Sequence, residues 1–324
     1  MVAALIAHVR RLWPNGGAWL PVPFVAWPLF CLLIGEQRGE HLAFALLVPA
    51  LAYATPQTKR LFIGLLPFGL LGLVYDSMRY VKDLGVTPAR VHVCDLRAID
   101  ARFFGVGDGT LQDYFQAHAT DFLDRLCAVP YGTFIYVSLA VAVWLYVKDY
   151  EGLRRFGWTF LLVNLVGFVT YHVYPAAPPW YFHAHGCAVD MTTLASEGPN
   201  LARVDAWLGV HYFAGFYGRS SDVFGAVPSL HVAYPLLNLI FGWRHWRWPG
   251  RALATAFFLL MAFSAVYLDH HWVVDVLLGI TYTLIVERAV RWYVARRRAA
   301  APPFAAAQRA QPAPARAPLA GGAE

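Results

Sequence analysis

The chain has 324 residues, of which 58% are hydrophobic and 14% are charged, and its formal net charge is +6. A soluble domain carries about 25% charged and about 45–50% apolar residues. The composition therefore excludes an ordinary soluble domain and predicts a surface that faces lipid. The basic residues are scattered between apolar blocks, which argues against a nucleic-acid partner, because nucleic-acid binding requires a concentrated basic patch.

Apolar blocks bounded by charged or turn residues predict about eight transmembrane helices. They cover residues 18–35, 41–56, 61–78, 131–148, 156–174, 229–243, 252–269 and 272–292. The first block is interrupted by prolines and the second is short, so these two are the weaker predictions. No small-residue cleavage site follows the first block, which we interpret as a retained helix rather than a signal peptide.

The fold class expected is an all-α polytopic membrane protein. Residues 1–298 form the integral membrane catalytic domain, and residues 299–324 form an Ala/Pro-rich tail that we expect to be disordered. Lysine and arginine gather at alternate connections, which predicts that both termini and the tail are cytoplasmic. Two long segments, about 79–130 and 175–228, then face outward.

The four cysteines, Cys31, Cys94, Cys127 and Cys187, show no metal-binding spacing. A disulfide among the last three is open if their loops face an oxidising compartment. Free cysteines are the favoured interpretation.

Three segments stand out as carriers of chemistry: YPAAPPWY at 174–181, GAVPSLH at 225–231 and YLDHHWVVD at 267–275. The first ends the fifth predicted helix, the second starts the sixth, and the third joins the seventh and eighth. The predicted topology brings all three to the outer membrane face.

His271 and Asp275 have i, i+4 spacing, which places two side chains of one helix in contact. A carboxylate that binds one imidazole nitrogen leaves the other nitrogen as a nucleophile. His231 follows Ser229, a candidate N-cap at a helix start that can bind an anion. The pattern favours phosphoryl transfer, with a metal site formed by His231, His270, His271 and Asp275 as an alternative. For His8, His92, His118 and His172 a structural role is expected.

PSLH, followed about forty residues later by HHWVVD, resembles the second and third motifs of the type-2 phosphatidic acid phosphatase superfamily. The YP…PPWY segment and the double histidine resemble one branch of it, the inositol phosphorylceramide synthases and their bacterial relatives. The resemblance implies a six-helix core without metal or other cofactor, in the bacterial inner membrane. It also implies His271 as nucleophile, Asp275 as its orienting carboxylate and His231 as acid/base.

This sequence departs from the superfamily's phosphatases at three positions. Ala265 stands where they have an arginine, and Gly167 and Tyr174 stand where their first motif has a lysine and an arginine. A doubly charged phosphate monoester would lose three cations there, which favours a diester substrate.

The sequence therefore predicts a membrane phosphotransferase that moves a phosphate-linked head group, inositol phosphate by resemblance, from a phospholipid donor to a lipid hydroxyl such as ceramide. The alternatives are a lipid phosphatase and a non-catalytic transporter or scaffold. Candidate substrate-binding residues, chosen by location, are Ser229, Arg219, Asp222, Trp180, Tyr181 and His270. The oligomeric state is not predicted.

Overall fold

A computed structural model describes residues 2–194, 200–218 and 222–300. Each of the eight apolar blocks is helical. The corresponding helices are α2 (Pro23–Leu33), α3 (Gly39–Tyr53), α4 (Pro56–Val81), α7 (Asp121–Lys148), α8 (Tyr150–Val173), α12 (Leu230–Gly242), α13 (Trp248–Tyr267) and α14 (Val273–Ala299). They are preceded by α1 (Val2–Leu12), which the apolar pattern did not predict. The all-α polytopic class is confirmed.

Among the described helices, α4, α7, α8 and α13 are long and apolar enough to cross a membrane. The helices α2, α3 and α12 have 11, 15 and 13 residues, fewer than the roughly 20 that span the hydrocarbon core. Helix α14 has 27 residues but ends in a basic turn. Length and composition therefore support a full membrane span for four of the eight predicted helices.

The central bundle consists of α4, α7, α8, α12, α13 and α14. Helix α12 packs against α7, α8, α13 and α14, and α4 packs mainly on α8. Two apolar clusters fill it, one around Tyr131 and Met261 near the outer side and one around Phe156 and Leu237. Helices α2 and α3 pack on α4 through a third cluster that includes Phe24 and Phe62.

The outer segments fold into short helices over one end of the bundle. The first carries a 3-10 turn (Pro88–Arg90), α5 (Cys94–Phe104) and α6 (Leu111–Ala117), and the second carries α9 (Pro179–His185), α10 (Leu201–Leu208) and α11 (Tyr212–Tyr217). The tail from residue 301, expected to be disordered, lies outside the described residues.

A disulfide joins the two outer segments, between Cys94 at the start of α5 and Cys187 just after α9. The preference for free cysteines was wrong for this pair, because the two residues are 93 positions apart and only the tertiary fold brings them together. Cys31 and Cys127 are free and buried.

Candidate active site

The three predicted motifs meet at one end of the bundle, which is the end that the sequence predicts to face outward. Tyr174 follows α8, Ser229 precedes α12, and the loop 268–272 joins α13 to α14. Main-chain hydrogen bonds tie the loops above this point: Ala176 N–H donates to Phe224 O (2.7 Å) and Ala226 N–H donates to Ala176 O (3.1 Å). His92 from the first outer segment forms a parallel bridge with Ala176: its N–H donates to Pro175 O, and its carbonyl accepts from Ala177 N–H.

Two catalytic candidates face each other directly. His231 Nδ1 lies 3.0 Å from His271 Nε2, and His271 Nδ1 lies 3.0 Å from Ala226 O. A carbonyl oxygen only accepts, so the proton of His271 is on Nδ1 and its Nε2 carries a free lone pair. Burial lowers the pKa of His271 to about 4, against the opposing effect of the Ala226 hydrogen bond. The imidazole is therefore neutral at pH 7 and its Nε2 is nucleophilic.

Asp275 does not make the expected hydrogen bond to His271. Its Oδ2 lies 3.6 Å from His271 Nδ1, outside hydrogen-bond range, and accepts from Trp272 N–H at 2.9 Å. The carboxylate therefore caps the start of α14 while remaining at ion-pair distance from the imidazole. Among the described residues its Oδ1 has no hydrogen-bond partner.

Ser229 takes the N-cap position of α12, but its side chain makes no capping hydrogen bond. Its hydroxyl is buried and has no hydrogen-bond partner within the described parts of the chain. Its main-chain N–H donates to Asp275 O at 3.0 Å, so this residue ties α12 to α14. Ser229 is therefore the N-cap residue that the sequence indicated, but it does not cap the helix through its side chain.

A cavity of about 380 Å³ opens at the histidines and continues between α4, α7, α8 and α12. His231, His270 and His271 line its outer end, together with Trp180 and Asp222. Asp222 accepts from Phe224 N–H at 3.0 Å, and burial raises the pKa of its carboxyl group to about 6. No lysine or arginine is found among the described residues that line the cavity.

Tyr181 is the head-group candidate that the fold places elsewhere. It is fully buried beneath the loop, and its hydroxyl contacts the main chain of Asp190. It supports the outer segment and does not line the cavity. Arg219, the candidate cation, lies outside the described residues.

Two tyrosines that the sequence did not single out contact the histidines. Tyr217 OH lies 3.3 Å from His231 Nε2, and the Tyr131 ring stacks on His231 with centroids 4.7 Å apart. Both rings also contact His270. No local motif marks them, because their role depends on α7 and α11 converging on α12.

The outer helices hold the main chain of the catalytic loop. Asp100 of α5 accepts from Val273 N–H and Val274 N–H, both at 3.0 Å, at the start of α14. Gln112 of α6 donates to Asp100 and, at 3.1 Å, to His271 O. Both side chains are fully buried.

A second anchor lies one residue before the double histidine. Asp269 has a positive φ of 68°, a conformation that aspartate tolerates better than most residues. His183 bridges Asp269 (2.7 Å) and Asp113 (2.8 Å), and Arg97 pairs with Asp113 at 2.7 Å. Hydrogen bonding to Asp269, reinforced by Asp113, raises the pKa of His183 to about 9 despite burial.

The four histidines for which a structural role is expected make contacts of that kind. His172 lies within hydrogen-bond distance of Phe168 O and Val81 O, His8 of Tyr53 O, and His118 of Tyr114 O. His92 stacks on Tyr174 with centroids 3.8 Å apart.

Among the described residues, the site histidines do not belong to a group of three ligand atoms close enough to hold one metal ion. Within the same part of the chain, three potential ligand atoms come together at Cys31, His41 and Asp76, in the N-terminal helices. Asp76 is already paired there with Arg38 and Arg79, which compete with a cation.

The three positions without cations are filled by packing. Ala265 is fully buried, and its carbonyl accepts from His270 N–H and His271 N–H. A Cβ atom at Gly167 would meet Leu230 at 3.1 Å. Tyr174 is covered by His92. A longer side chain at Gly167 would therefore require Leu230 to move.

The chain has clear relatives among characterised proteins. It is 36% identical to a phosphoinositol dihydroceramide synthase of Bacteroides thetaiotaomicron, over 79% of this chain and 86% of that protein. It is 31% identical to an inositol phosphorylceramide synthase of Candida albicans, over 73% of this chain and 50% of that protein. An inositol phosphorylceramide synthase catalytic subunit of Saccharomyces cerevisiae is 29% identical, with 59% of its length covered.

The chain thus spans about half to three fifths of these two fungal relatives and most of the bacterial one. No solved structure matches it. The profile of the PAP2 superfamily matches residues 95–288, which contain all three motifs. The chain belongs to the PAP2 superfamily, in the branch of the inositol phosphorylceramide synthases.

Proposed function

We propose that this enzyme transfers inositol phosphate from phosphatidylinositol to the hydroxyl group of a ceramide-type lipid. The names of its relatives support the head group and the acceptor class, and the bacterial relative matches over most of both chains. The membrane-spanning bundle supports a reaction between two lipids.

One observation carries the choice of a diester over a monoester substrate. The cavity has two facing histidines at its outer end and, among its described lining residues, no lysine or arginine. A phosphate monoester approaches two negative charges at pH 7, because its second pKa is about 6. A diester has one negative charge, so it loses less by entering a site with few cations.

In the proposed first step, His271 Nε2 attacks the phosphorus and the bond to the diacylglycerol oxygen breaks. His231, which faces His271 Nε2, is an imidazolium when the anionic diester is bound, and it donates its extra proton to that departing oxygen. The product is inositol phosphate bound to His271, with diacylglycerol released. The imidazolium charge that develops on His271 is stabilised by Ala226 O at 3.0 Å and the Asp275 carboxylate at 3.6 Å.

In the second step, His231 accepts the proton of the acceptor hydroxyl, and that oxygen attacks the phosphorus. The phosphorus–nitrogen bond breaks and returns both histidines to their starting states. Asp222, Trp180 and His270 line the cavity beside the histidines and are the proposed head-group contacts. Ser229, two residues before His231, does not line the cavity and is retained as a candidate on its sequence position. Arg219 is retained as a candidate phosphate cation on its sequence position.

We also propose that the site faces outward from a bacterial inner membrane, with both termini in the cytoplasm. The Cys94–Cys187 disulfide supports this orientation, because such bonds persist on the oxidising side of the membrane.

The test uses purified enzyme with labelled phosphatidylinositol, with and without ceramide, and in parallel with labelled phosphatidic acid. We expect a new inositol phospholipid that depends on ceramide, and much slower release of inorganic phosphate from phosphatidic acid. Rapid phosphate release without a transfer product would establish a lipid phosphatase instead. No turnover of either lipid would favour a non-catalytic membrane protein.

A further inference from the structure

Below the histidines, the cavity is bounded by regular apolar stripes. Helix α4 contributes Phe68, Leu71, Gly72, Tyr75 and Met78, which recur every three or four residues along one helix face. Helix α8 contributes Phe160, Asn164, Phe168 and Tyr171 with the same period. The cavity therefore runs along these helices.

The stripes give the length of this space. Ten residues separate Phe68 from Met78, which corresponds to about 15 Å at about 1.5 Å per residue. The hydrocarbon core of a bilayer is about 30 Å thick. The cavity thus extends over the depth of one leaflet, as an alkyl tail does when its head group lies at the outer membrane surface.

The deep end of the cavity is closed by aromatic rings. Phe68 lies with its ring centroid 5.2 Å from Phe160 and 5.6 Å from Phe156. Phe160 in turn contacts Tyr234 at 4.2 Å, and Phe156 contacts Phe241 at 5.4 Å. Phe156 is fully buried, so the rings form a packed layer that an alkyl chain cannot pass without displacing a side chain.

We infer that Phe68 and Phe160 form the floor of a lipid-tail site and set the length of the alkyl tail that this enzyme accepts. The inference rests on the proposed function in one respect, that the bound lipid has its reacting group at His231 and His271. The tail belongs either to the phospholipid donor or to the lipid acceptor, which share this chemistry.

Three variants test the floor. Phe68→Ala removes the ring that contacts both Phe156 and Phe160, and should move the preferred tail length upward by several carbons. Leu71→Trp adds a ring about one turn nearer to the histidines and should move the preference downward. Phe62→Ala is the matched control, because Phe62 is a buried phenylalanine on the same helix but packs in the cluster formed with α2 and α3.

The measurement is a competition assay with the purified full chain in detergent. One arm offers ceramides of graded acyl and sphingoid length with a fixed donor, and the other offers phosphatidylinositols of graded acyl length with a fixed ceramide. The arm in which Phe68→Ala shifts the product distribution identifies whose tail occupies the site. Phe62→Ala should leave both distributions unchanged.

Equal loss of rate for all lengths in Phe68→Ala and Phe62→Ala, with unchanged distributions, would overturn the inference. If Phe68→Ala does not fold, Phe68→Leu retains apolar volume and should give a smaller shift in the same direction. The inference and the proposed function can fail separately. A chain-length shift can be read from the transfer of any head group. Absence of transfer in the unmodified enzyme refutes only the proposed function.

Discussion

The Ala226 carbonyl determines where the protons of the paired histidines lie. It lies 3.0 Å from His271 Nδ1, so that nitrogen donates and Nε2 accepts from His231 Nδ1. His231 Nε2 is then an acceptor facing Tyr217 OH at 3.3 Å. The resulting chain, from Tyr217 through both imidazoles to Ala226, gives every ring nitrogen a partner and leaves both histidines neutral before the anionic substrate binds.

Replacing a member of the catalytic trio should reduce turnover strongly. We expect His271→Ala, His231→Ala and Asp275→Asn each to lower the transfer rate by at least about a hundredfold, the usual scale for positioned acid/base groups. Membrane insertion should be unchanged, as judged by extraction and gel filtration. A His271→Ala enzyme with near-normal activity would exclude it as the nucleophile.

At the scale of elements, α5 and α6 act on the catalytic loop through its main chain. Asp100 binds the first N–H groups of α14, where a negative charge also matches the helix dipole. Gln112 binds His271 O directly. These residues touch the loop rather than the cavity, so we regard them as positioning residues.

Gln112→Glu should separate positioning from binding. The change keeps the side-chain shape but removes the donor to His271 O and places a second carboxylate beside Asp100, so we expect a drop in kcat with little change in KM for the lipid. Rates at varied lipid mole fraction in mixed micelles provide both values. An enzyme with unchanged kcat would show that the loop holds its geometry without α6.

The His183 bridge should make stability depend on pH. Burial alone would raise the pKa of Asp113, but hydrogen bonds from His183, Thr110 and Arg97 outweigh it and hold that pKa below its ordinary 3.8. The pKa of His183 is raised from 6.5 to about 9, so its stabilising contribution is complete below about pH 6.5 and is lost as pH rises through 9. The bridge therefore weakens as pH rises above about 6.5.

We therefore expect the Tm of the unmodified enzyme to fall between pH 7 and pH 10 by more than that of His183→Asn. Thermal unfolding in detergent, followed by tryptophan fluorescence, gives both values. Parallel curves for the two proteins would mean that the bridge contributes nothing to stability.

At the scale of the whole molecule, the basic connections and the disulfide indicate one orientation. Arginines lie in the last turn of α14, and the disulfide lies at the opposite end of the bundle, over the site. Positive segments prefer the cytoplasm, which indicates that side for the arginines. Disulfides persist under oxidising conditions, which indicates the opposite side for the disulfide and the site.

Thiol labelling in intact cells tests this orientation. After mild reduction, a membrane-impermeant maleimide should reach Cys187, whereas a cysteine introduced at Ala310 should react only once the membrane is opened. Background labelling is removed by replacing the buried Cys31 and Cys127 with alanine in both proteins, and by also replacing Cys94 in the first and both Cys94 and Cys187 in the second. The reverse pattern would place the site in the cytoplasm.

The sequence alone determined the apolar helices and singled out the histidines His231 and His271, which the structure brings together. Hydrophobic runs and motif spacing are local properties of the chain. The alternation of basic connections assigned the three motifs to one face of the membrane before any contact was known. The diester preference also came from single positions, since Ala265, Gly167 and Tyr174 are visible as missing cations.

Only the tertiary structure decided how those groups are arranged. The i, i+4 rule predicted a bond from Asp275 to His271, but α14 begins at Val273, so His271 lies outside the helix and the rule does not apply. Ala226, Gln112, Tyr217 and the Cys94–Cys187 pair reach the site or its cover from distant segments. Their contacts depend on how the helices pack, which no local pattern in the sequence records.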